Sequence, residues 1–361
     1  MPSTKAMPQS FLGKFLAGFT IAMLMIPTAF AGDEDQQTYC KFVTQQAAAQ
    51  RDLLLTPNAL AGATQPNTGL PMQLVWGVSG SLSNVRKAGL TVDAARKNCE
   101  VYSATASAQQ AIQYALPTLE KQALQHRLEL IQKGSESLDA LVATTTKMLD
   151  AQNMTRPMAF ALQTTKIKLE ADRADTQSKI AAIYLPELSD RPVMELVAEK
   201  QSSEVNERQA QAKLIRQNNW DVALSVGAHQ QINPLLGNQG AYGEVTVSYN
   251  LASRAINKHL DQAALAYDDW KKVQEGDVMR NAEVLKQQVA NGISVQDSRL
   301  KALQEEQKQI ESNLQLLGTG ETTAALDFRN QLTTAQLLLE IEIGDASFRL
   351  DRLKEFLGAN F

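Results

Sequence analysis

The sequence predicts a mainly α-helical protein with a small β part, in which long antiparallel helical hairpins accompany four strands. Two helix-forming stretches of nearly equal length, about residues 83–150 and 252–318, each follow a pair of candidate strands and then turn back as further helix. About 66 helical residues make a rod of roughly 100 Å, which is much longer than an ordinary globular enzyme core requires. The same order of elements occurs twice along the chain, and such a repeat decides the architecture.

The first residues predict a secretory signal peptide. Two lysines accompany an apolar run over about residues 15–26, which ends at Pro27 and is followed by small residues up to Ala31. The apolar run is short of the ~20 residues that a membrane span needs, so we expect cleavage after Ala31. A retained membrane helix is the alternative. Residues 1–31 are therefore assigned to the signal peptide, and we expect an exported protein of a bacterium with two membranes.

Composition and the distribution of polar residues exclude several classes of function. Charged residues make up 20% of the chain, the net charge is −4, and acids and bases are interspersed. Binding to nucleic acid would need a clustered basic face, so we expect no nucleic-acid partner. The histidines are scattered, and no His or Cys pair has the spacing of a metal site; they are His126, His229 and His259. We therefore expect no enzyme activity, no metal and no cofactor.

The first structural repeat is expected to span residues 32–192. A helix over about 33–51 leads into candidate strands at about 53–63 and 72–82. The long helix follows, and its hairpin tip is expected at about 151–157, where Asn and Pro occur together. Asn can end a helix and Pro can begin the next one.

The second structural repeat is expected to span residues 193–361. Its first helix leads into candidate strands at about 220–231 and 243–251. A long helix follows these strands, and the hairpin tip is expected at about 318–323, where glycines and threonines are concentrated. Glycine commonly ends a helix and threonine commonly begins one.

The candidate strands alternate between apolar residues and small or polar ones. Nine apolar residues would share a face and are candidates for contact with lipid: Leu74, Trp76, Val78, Val222, Leu224, Val226, Val245, Val247 and Tyr249. Alternation fits a half-buried sheet, and it equally fits a barrel with lipid outside and water inside. Four strands cannot close a barrel, and an open edge in lipid leaves backbone groups unsatisfied. Several chains would have to contribute their strands to one closed barrel, and three chains would supply twelve strands. A small soluble sheet capping a helical bundle is the alternative.

The chain has two cysteines, Cys40 and Cys99. In an oxidising compartment such a pair indicates one disulfide. Cys40 precedes the first strand pair and Cys99 follows it, so helices that flank the hairpin side by side could bring the two to the same level. The alternative is a pair of buried free thiols.

The chain resembles the TolC-type outer-membrane factors, the channel-tunnels of drug efflux pumps and type I secretion. The resemblance covers essentially the whole mature chain and rests first on the twice-repeated order of helix, two strands, long helix and return helix. The segment from Gly320 to Gln331 is similar to the family's tip motif, in which a glycine and a threonine precede a helix carrying an Asp and a Gln. Tyr249, Asn250 and Leu251 precede an arginine-containing helix start, although Asn250 stands where the family usually has proline.

The resemblance implies a homotrimer in the outer membrane of a Gram-negative bacterium. Each protomer would give four strands to a twelve-stranded β-barrel and its helices to a periplasmic tunnel. The implied partners are outer-membrane lipid, a periplasmic adaptor and an inner-membrane transporter, and exported molecules would pass through by passive conduction. The adaptor-docking tips would contain Thr155, Arg156, Gly320 and Thr323. The brief break near Pro186 implies a thin equatorial collar.

Acidic residues near the tips are candidates for a gate. Asp150, Glu321 and Asp327 are the nearest acids, and three-fold symmetry would triplicate each and concentrate the field in a constriction. Neutralising the true ring should then lower cation preference. Two other functions stay open: an exporter specific for polysaccharide or surface protein with the same architecture, and a periplasmic coiled-coil scaffold or adaptor whose sheet is soluble.

Overall fold

The structure, a computed structural model, describes residues 33–64, 72–150, 155–186, 189–231, 239–274, 277–318 and 322–361. The expected signal peptide lies outside these residues. The elements follow in the order α1 (Asp33–Leu55), β1 (Asn58–Thr64), β2 (Gln73–Ser81), α2 (Leu82–Asp150), α3 (Arg156–Ala182), α4 (Val193–Arg216), β3 (Trp220–Gln231), β4 (Gln239–Tyr249), α5 (Ser253–Val273), α6 (Val278–Leu317) and α7 (Thr323–Asn360). The predicted class, mainly helical with a small β part, is confirmed. In this part of the chain, no helix combines the length and the apolarity needed to cross a membrane.

The first long rod is a single helix. α2 has 69 residues and continues through Pro117. The return helix α3 begins after Thr155, whose backbone is extended, and carries Pro157 in its first turn, where the missing amide proton of proline is tolerated. α2 therefore ends and α3 begins within or beside the expected tip at about 151–157, of which residues 151–154 lie outside the described residues.

The second rod is not continuous, and the prediction of one helix over residues 252–318 was wrong. α5 ends at Val273, and α6 begins at Val278 after Asp277, whose backbone is extended. Asp is a favoured residue before the first helical turn. Lys200 of α4 also donates to the Asp277 carboxylate, with an Nζ–Oδ1 distance of 2.7 Å. The Asp277 side chain makes no capping hydrogen bond to α6, and its carboxylate is bound instead by the distant helix α4, a contact that apolar periodicity does not reveal.

The first strand begins later than the predicted range 53–63. Helix α1 continues to Leu55, where the Thr56 amide still donates to the Asp52 carbonyl at 3.0 Å. Pro57 then ends the helix, because proline disfavours helical backbone at the residue before it. The run of three leucines that favoured a strand is thus the last turn of a helix.

The fourth strand occupies Gln239–Tyr249 and not the predicted residues 243–251. It ends in a turn in which the Asn250 side-chain oxygen accepts from the Ala252 amide at 2.9 Å. Asn side chains commonly form such turns with the backbone two residues on. By contrast, β3 has the predicted bounds.

The four strands form one antiparallel sheet in the order β1-β2-β3-β4. The pairing of β2 with β3 joins the two repeats, with Trp76 opposite Ala228 and Gly77 opposite Gly227. β1 and β4 are the edges of this sheet.

Helix α2 packs against helices of both repeats. Its C-terminal half packs against α3 and α7 in a buried cluster formed by Ile131, Leu138, Met158, Leu162, Leu169 and Ile341. Its N-terminal half packs against α4 and α6 in a second buried cluster formed by Ala108, Val193, Leu196, Val197, Val278 and Ala282. The helices of both repeats therefore share one core, and the sheet lies at one end of it.

Candidate membrane sheet and tunnel tips

One face of the sheet is apolar on all four strands. Residues directly paired in an antiparallel sheet point to the same side, so the register assigns each side chain to a face. The apolar face consists of Ala59, Ala61, Ala63, Leu74, Trp76, Val78, Trp220, Val222, Leu224, Val226, Ala228, Ala241, Val245, Val247 and Tyr249. Gln230, near one end of β3, is a polar member. All nine residues proposed from the sequence as lipid-facing lie on this face.

The apolar face is open to its surroundings in the single chain. Val245 is 67% exposed, Val247 60% and Trp220 55%. A contiguous apolar surface of this kind is rare on a soluble monomer and marks a site of interaction with protein or membrane. Trp220 and Tyr249 are directly paired at the end of the sheet nearest the helices, with ring centroids 4.5 Å apart. Aromatic residues are enriched at the boundaries of membrane-spanning barrels.

The opposite face of the sheet, the polar face, carries mostly small and polar side chains, together with Leu60, Val75 and Tyr242. Its polar members are Asn58, Gln73, Ser79, Ser81, Asp221, Ser225, His229, Gln231, Glu244, Thr246 and Ser248. Gly77 and Gly227 lie opposite each other on this face, and a Cβ atom on Gly227 would lie 2.8 Å from Cε1 of Tyr242. The glycine pair thus leaves room for the tyrosine ring to lie along the sheet.

The two hairpin tips are linked within one chain. The Thr155 hydroxyl donates to Oδ2 of Asp327 at 2.7 Å, which joins the start of α3 to α7. Thr155, Arg156 and Thr323 are exposed, while Gly320 and Glu321 lie outside the described residues, as does the side chain of Asp150. The structure therefore brings Thr155 together with Asp327 and leaves the proposed acidic ring as a prediction.

Local capping fixes the second tip. The Thr322 hydroxyl accepts from the Ala325 amide at 3.2 Å and so begins α7. Gly318 ends α6 with a φ of 52°, a conformation that glycine adopts without steric cost. The Arg329 guanidinium donates to the Gly318 carbonyl. These contacts end α6 and begin α7, and Asp327 lies one turn into α7.

Cys40 and Cys99 form a disulfide between α1 and α2, with a Cα–Cα distance of 5.1 Å. The neighbouring rings of Tyr39 and Tyr102 stack with centroids 4.1 Å apart. The Tyr39 hydroxyl donates to Oδ1 of Asn98 at 2.7 Å. The first helix of the chain is thus held against the first rod by a covalent bond and by polar and aromatic contacts.

Beside this disulfide lies Glu207 of α4, a largely buried acid that the sequence analysis did not identify. Its Oε1 atom accepts from Asn98 at 2.8 Å and from Gln211 at 2.9 Å. Burial raises the pKa of Glu207 and outweighs these hydrogen bonds, and the charge of Glu204 raises it further. The hydrogen bond from Asn98 holds α4 against α2, but the partial burial of the Glu207 charge lowers the stability of the folded protein.

A buried ion network joins both hairpins at mid-height. Arg127 of α2 donates to Asp172 of α3 and to Glu342 of α7, each at 2.8 Å. Burial alone would lower the pKa of Arg127, but these two hydrogen bonds raise it above its ordinary value. Burial likewise opposes ionisation of Glu342, while hydrogen bonding to Arg127 and the charge of Arg299 hold the pKa of Glu342 below its ordinary value.

Asp345 lies at the centre of this network and is 2% exposed. Its carboxylate accepts from Arg349 at 3.0 Å and from Arg127 at 3.5 Å, and lies 3.7 Å from Arg299. Arg349 also binds Glu120 of α2. Asp345 and Arg349 are four residues apart on α7, but the partners in the other pairs belong to helices far apart in the chain, and no local pattern in the sequence indicates those pairs. In the described part of the chain, no group of three or more His, Cys, Asp and Glu is placed to hold a metal ion.

No family model matches this sequence, and no curated protein matches it either. Solved structures with a similar overall course include the outer membrane protein VceC of Vibrio cholerae, which is 14% identical with a TM-score of 0.41 over 90% of this chain and 92% of that one. The MtrE outer membrane channel of Neisseria gonorrhoeae is 13% identical with a TM-score of 0.42, over 90% of this chain and 85% of that one. A membrane protein from Pseudomonas aeruginosa is 14% identical with a TM-score of 0.44, over 91% and 87%.

In its overall course, the chain is similar to solved outer-membrane channels over nine tenths of its length, as the sequence resemblance implied.

Proposed function

We propose that this protein is an outer-membrane channel-tunnel that passively conducts exported molecules from the periplasm, or from an inner-membrane transporter and its adaptor, to the exterior. Three chains would pool their strands into a twelve-stranded barrel, and their helices would form a periplasmic tunnel. The observation that carries the proposal is the two-sided sheet, which is apolar and exposed on one face and polar on the other.

The apolar face argues against a soluble sheet. Water is a poor solvent for fifteen clustered apolar side chains, and within the described residues no helix covers them in the single chain. A lipid surface would bury them favourably, at about 25 cal/mol for each Å² removed from water. The polar face then requires water on the other side, which is the pattern of a barrel with an aqueous lumen.

The edges of the sheet argue against a single chain. β1 and β4 carry backbone groups that no other described strand pairs, and such groups cost several kcal/mol each in lipid. Pairing β4 of one chain with β1 of the next satisfies both edges and closes the sheet. Three chains give the even number of twelve strands that the family resemblance implies.

The tips are then the periplasmic end, about 100 Å from the barrel by the length of α2. We propose that the exposed residues Thr155, Arg156 and Thr323, with Gly320, contact the adaptor. Asp327, with Asp150 and Glu321, is proposed as a gate acid. The Thr155–Asp327 hydrogen bond supports a restrained pair of tips within each chain.

A matched pair of lysine substitutions tests the barrel. Val226→Lys puts a charge on the apolar face, which costs about 2–4 kcal/mol at the centre of a bilayer. Ser225→Lys puts the same charge on the polar face, directly opposite Glu244. We expect Val226→Lys to abolish trimers in outer-membrane fractions, and Ser225→Lys to assemble and to conduct ions in planar bilayers.

Equal behaviour of the two lysine variants would contradict the barrel, and extraction of the native protein without detergent would favour the periplasmic scaffold. The identity of the exported molecule needs a separate experiment. Drug efflux, type I secretion and export of polysaccharide or surface protein share this architecture. Cross-linking the tips to their partners and identifying the inner-membrane transporter that copurifies would distinguish these functions.

A further inference from the structure

The sheet module contains carboxylates but no lysine or arginine. Residues 56–85 and 217–253 include Asp221 and Glu244 and no basic residue other than His229. The nearest arginines along the chain lie on the flanking helices. A surface with interspersed positive and negative charges would not favour cations or anions. The charged side chains of the sheet module, besides His229, are all negative.

Both carboxylates lie on the polar face. Asp221, at the helix end of β3, accepts a hydrogen bond from Ser81 of β2, which fixes it across the strand pair. Glu244 lies opposite Ser225 near the middle of β4 and is exposed. Among the described residues neither carboxylate meets a basic side chain, so no ion pair there cancels its charge.

The size of the barrel decides whether these charges reach a passing solute. Twelve strands about 4.8 Å apart and tilted by about 40° give a backbone diameter of roughly 24 Å. The screening length is about 10 Å in 0.1 M salt and about 3 Å in 1 M salt. Carboxylates on the wall therefore act across most of the lumen at low ionic strength and only near the wall at high ionic strength.

We propose that Asp221 and Glu244, in three copies each, are specificity-determining charges of the barrel lumen, so that the channel favours cationic and neutral solutes over anionic ones. This inference rests on the proposed barrel. It is independent of the tip acids, which lie at the other end of the helices. The lumen charges act on whatever has already passed the tips, and they disfavour polyanions in particular.

Thiol chemistry at one position tests the inference. Cys40 and Cys99 are bonded to each other, so Glu244→Cys introduces a reactive thiol that can receive a cationic, neutral or anionic methanethiosulfonate. We expect the potassium-to-chloride permeability ratio in 0.1 M KCl to fall about two-fold in the unmodified variant, because half of the lumen carboxylates are removed. The anionic reagent should restore the ratio, the cationic reagent should lower it further, and the differences should vanish in 1 M KCl.

Val245→Cys is the matched control, since the adjacent residue lies on the apolar face. Its modification should leave selectivity unchanged, and a shift as large as that of Glu244→Cys would overturn the inference. Asp221→Asn and Glu244→Gln, which preserve shape, test the same charges without a thiol. Native channels whose permeability ratio is unaffected by every lumen variant would overturn the inference and leave the channel intact. A native protein that never conducts would overturn the proposed function itself.

Discussion

At the scale of single residues, the surroundings of Asp345 show how the two hairpins are held together. Three arginines from three helices converge on one buried carboxylate. Removing one partner from a buried ion pair leaves the remaining charges uncompensated, which costs more than the pair itself contributes. The network therefore fixes the relative positions of α2, α6 and α7 in the rod.

We expect Asp345→Asn to lower the unfolding free energy by about 2 kcal/mol, because it removes the buried carboxylate on which Arg127, Arg299 and Arg349 converge, while each arginine keeps another carboxylate partner. The matched control is Asp297→Asn. Asp297 and Lys301 are also four residues apart on one helix, at 2.7 Å, but both side chains are exposed, and exposed pairs contribute little. Thermal denaturation of the detergent-solubilised proteins measures the melting temperature of each variant. Equal melting temperatures for Asp345→Asn and Asp297→Asn would contradict the structural role of the network.

Glu207 gives a pH-dependent prediction. Its pKa is raised in the folded protein, so its charged form costs stability above that pKa and costs nothing below the pKa of the unfolded chain. Glu207→Gln should therefore raise the melting temperature at pH 8, and the gain should disappear as the pH falls below 4.5, the ordinary value for Glu. Glutamine keeps both hydrogen bonds, because Asn98 and Gln211 donate to the same oxygen. A gain that grows toward acid pH would contradict this account.

At the scale of elements, local periodicity predicted most of the architecture. β3 has the bounds that the alternation over residues 220–231 predicted, and the first rod is one helix. The positions of the two tips stay a prediction, because residues 151–154 and 319–321 lie outside the described residues. The break before α6 was missed, because Asp277 has an extended backbone there and its carboxylate is bound by Lys200 from another helix. The ion network was missed for the same reason. Contacts between distant helices leave no local pattern.

The disulfide provides a test at this scale. It joins residues 59 positions apart, for which the chain-entropy model gives about 4 kcal/mol of stabilisation. We expect the double variant Cys40→Ser, Cys99→Ser to melt at a lower temperature, with α1 released from α2. Reducing agent should lower the melting temperature of the native protein and leave the double variant unchanged. A double variant as stable as the native protein would show that the other contacts of α1 suffice.

At the scale of the whole molecule, the sheet and the helices impose different requirements on one chain. The apolar face needs lipid, the polar face needs water, and both sheet edges need partners. The rods carry most of the buried core. The ring of identical chains that we propose would meet all of these requirements together, with the barrel in the outer membrane and the tunnel in the periplasm.

The native mass of the detergent-extracted protein tests this assembly most directly. Mass spectrometry or light scattering, corrected for bound detergent, counts the chains in each particle. We expect three chains per particle, because the open edges of three four-stranded sheets then close into one barrel of twelve strands. A stable monomer or dimer, or a protein that leaves the membrane fraction without detergent, would contradict the shared barrel and with it the channel.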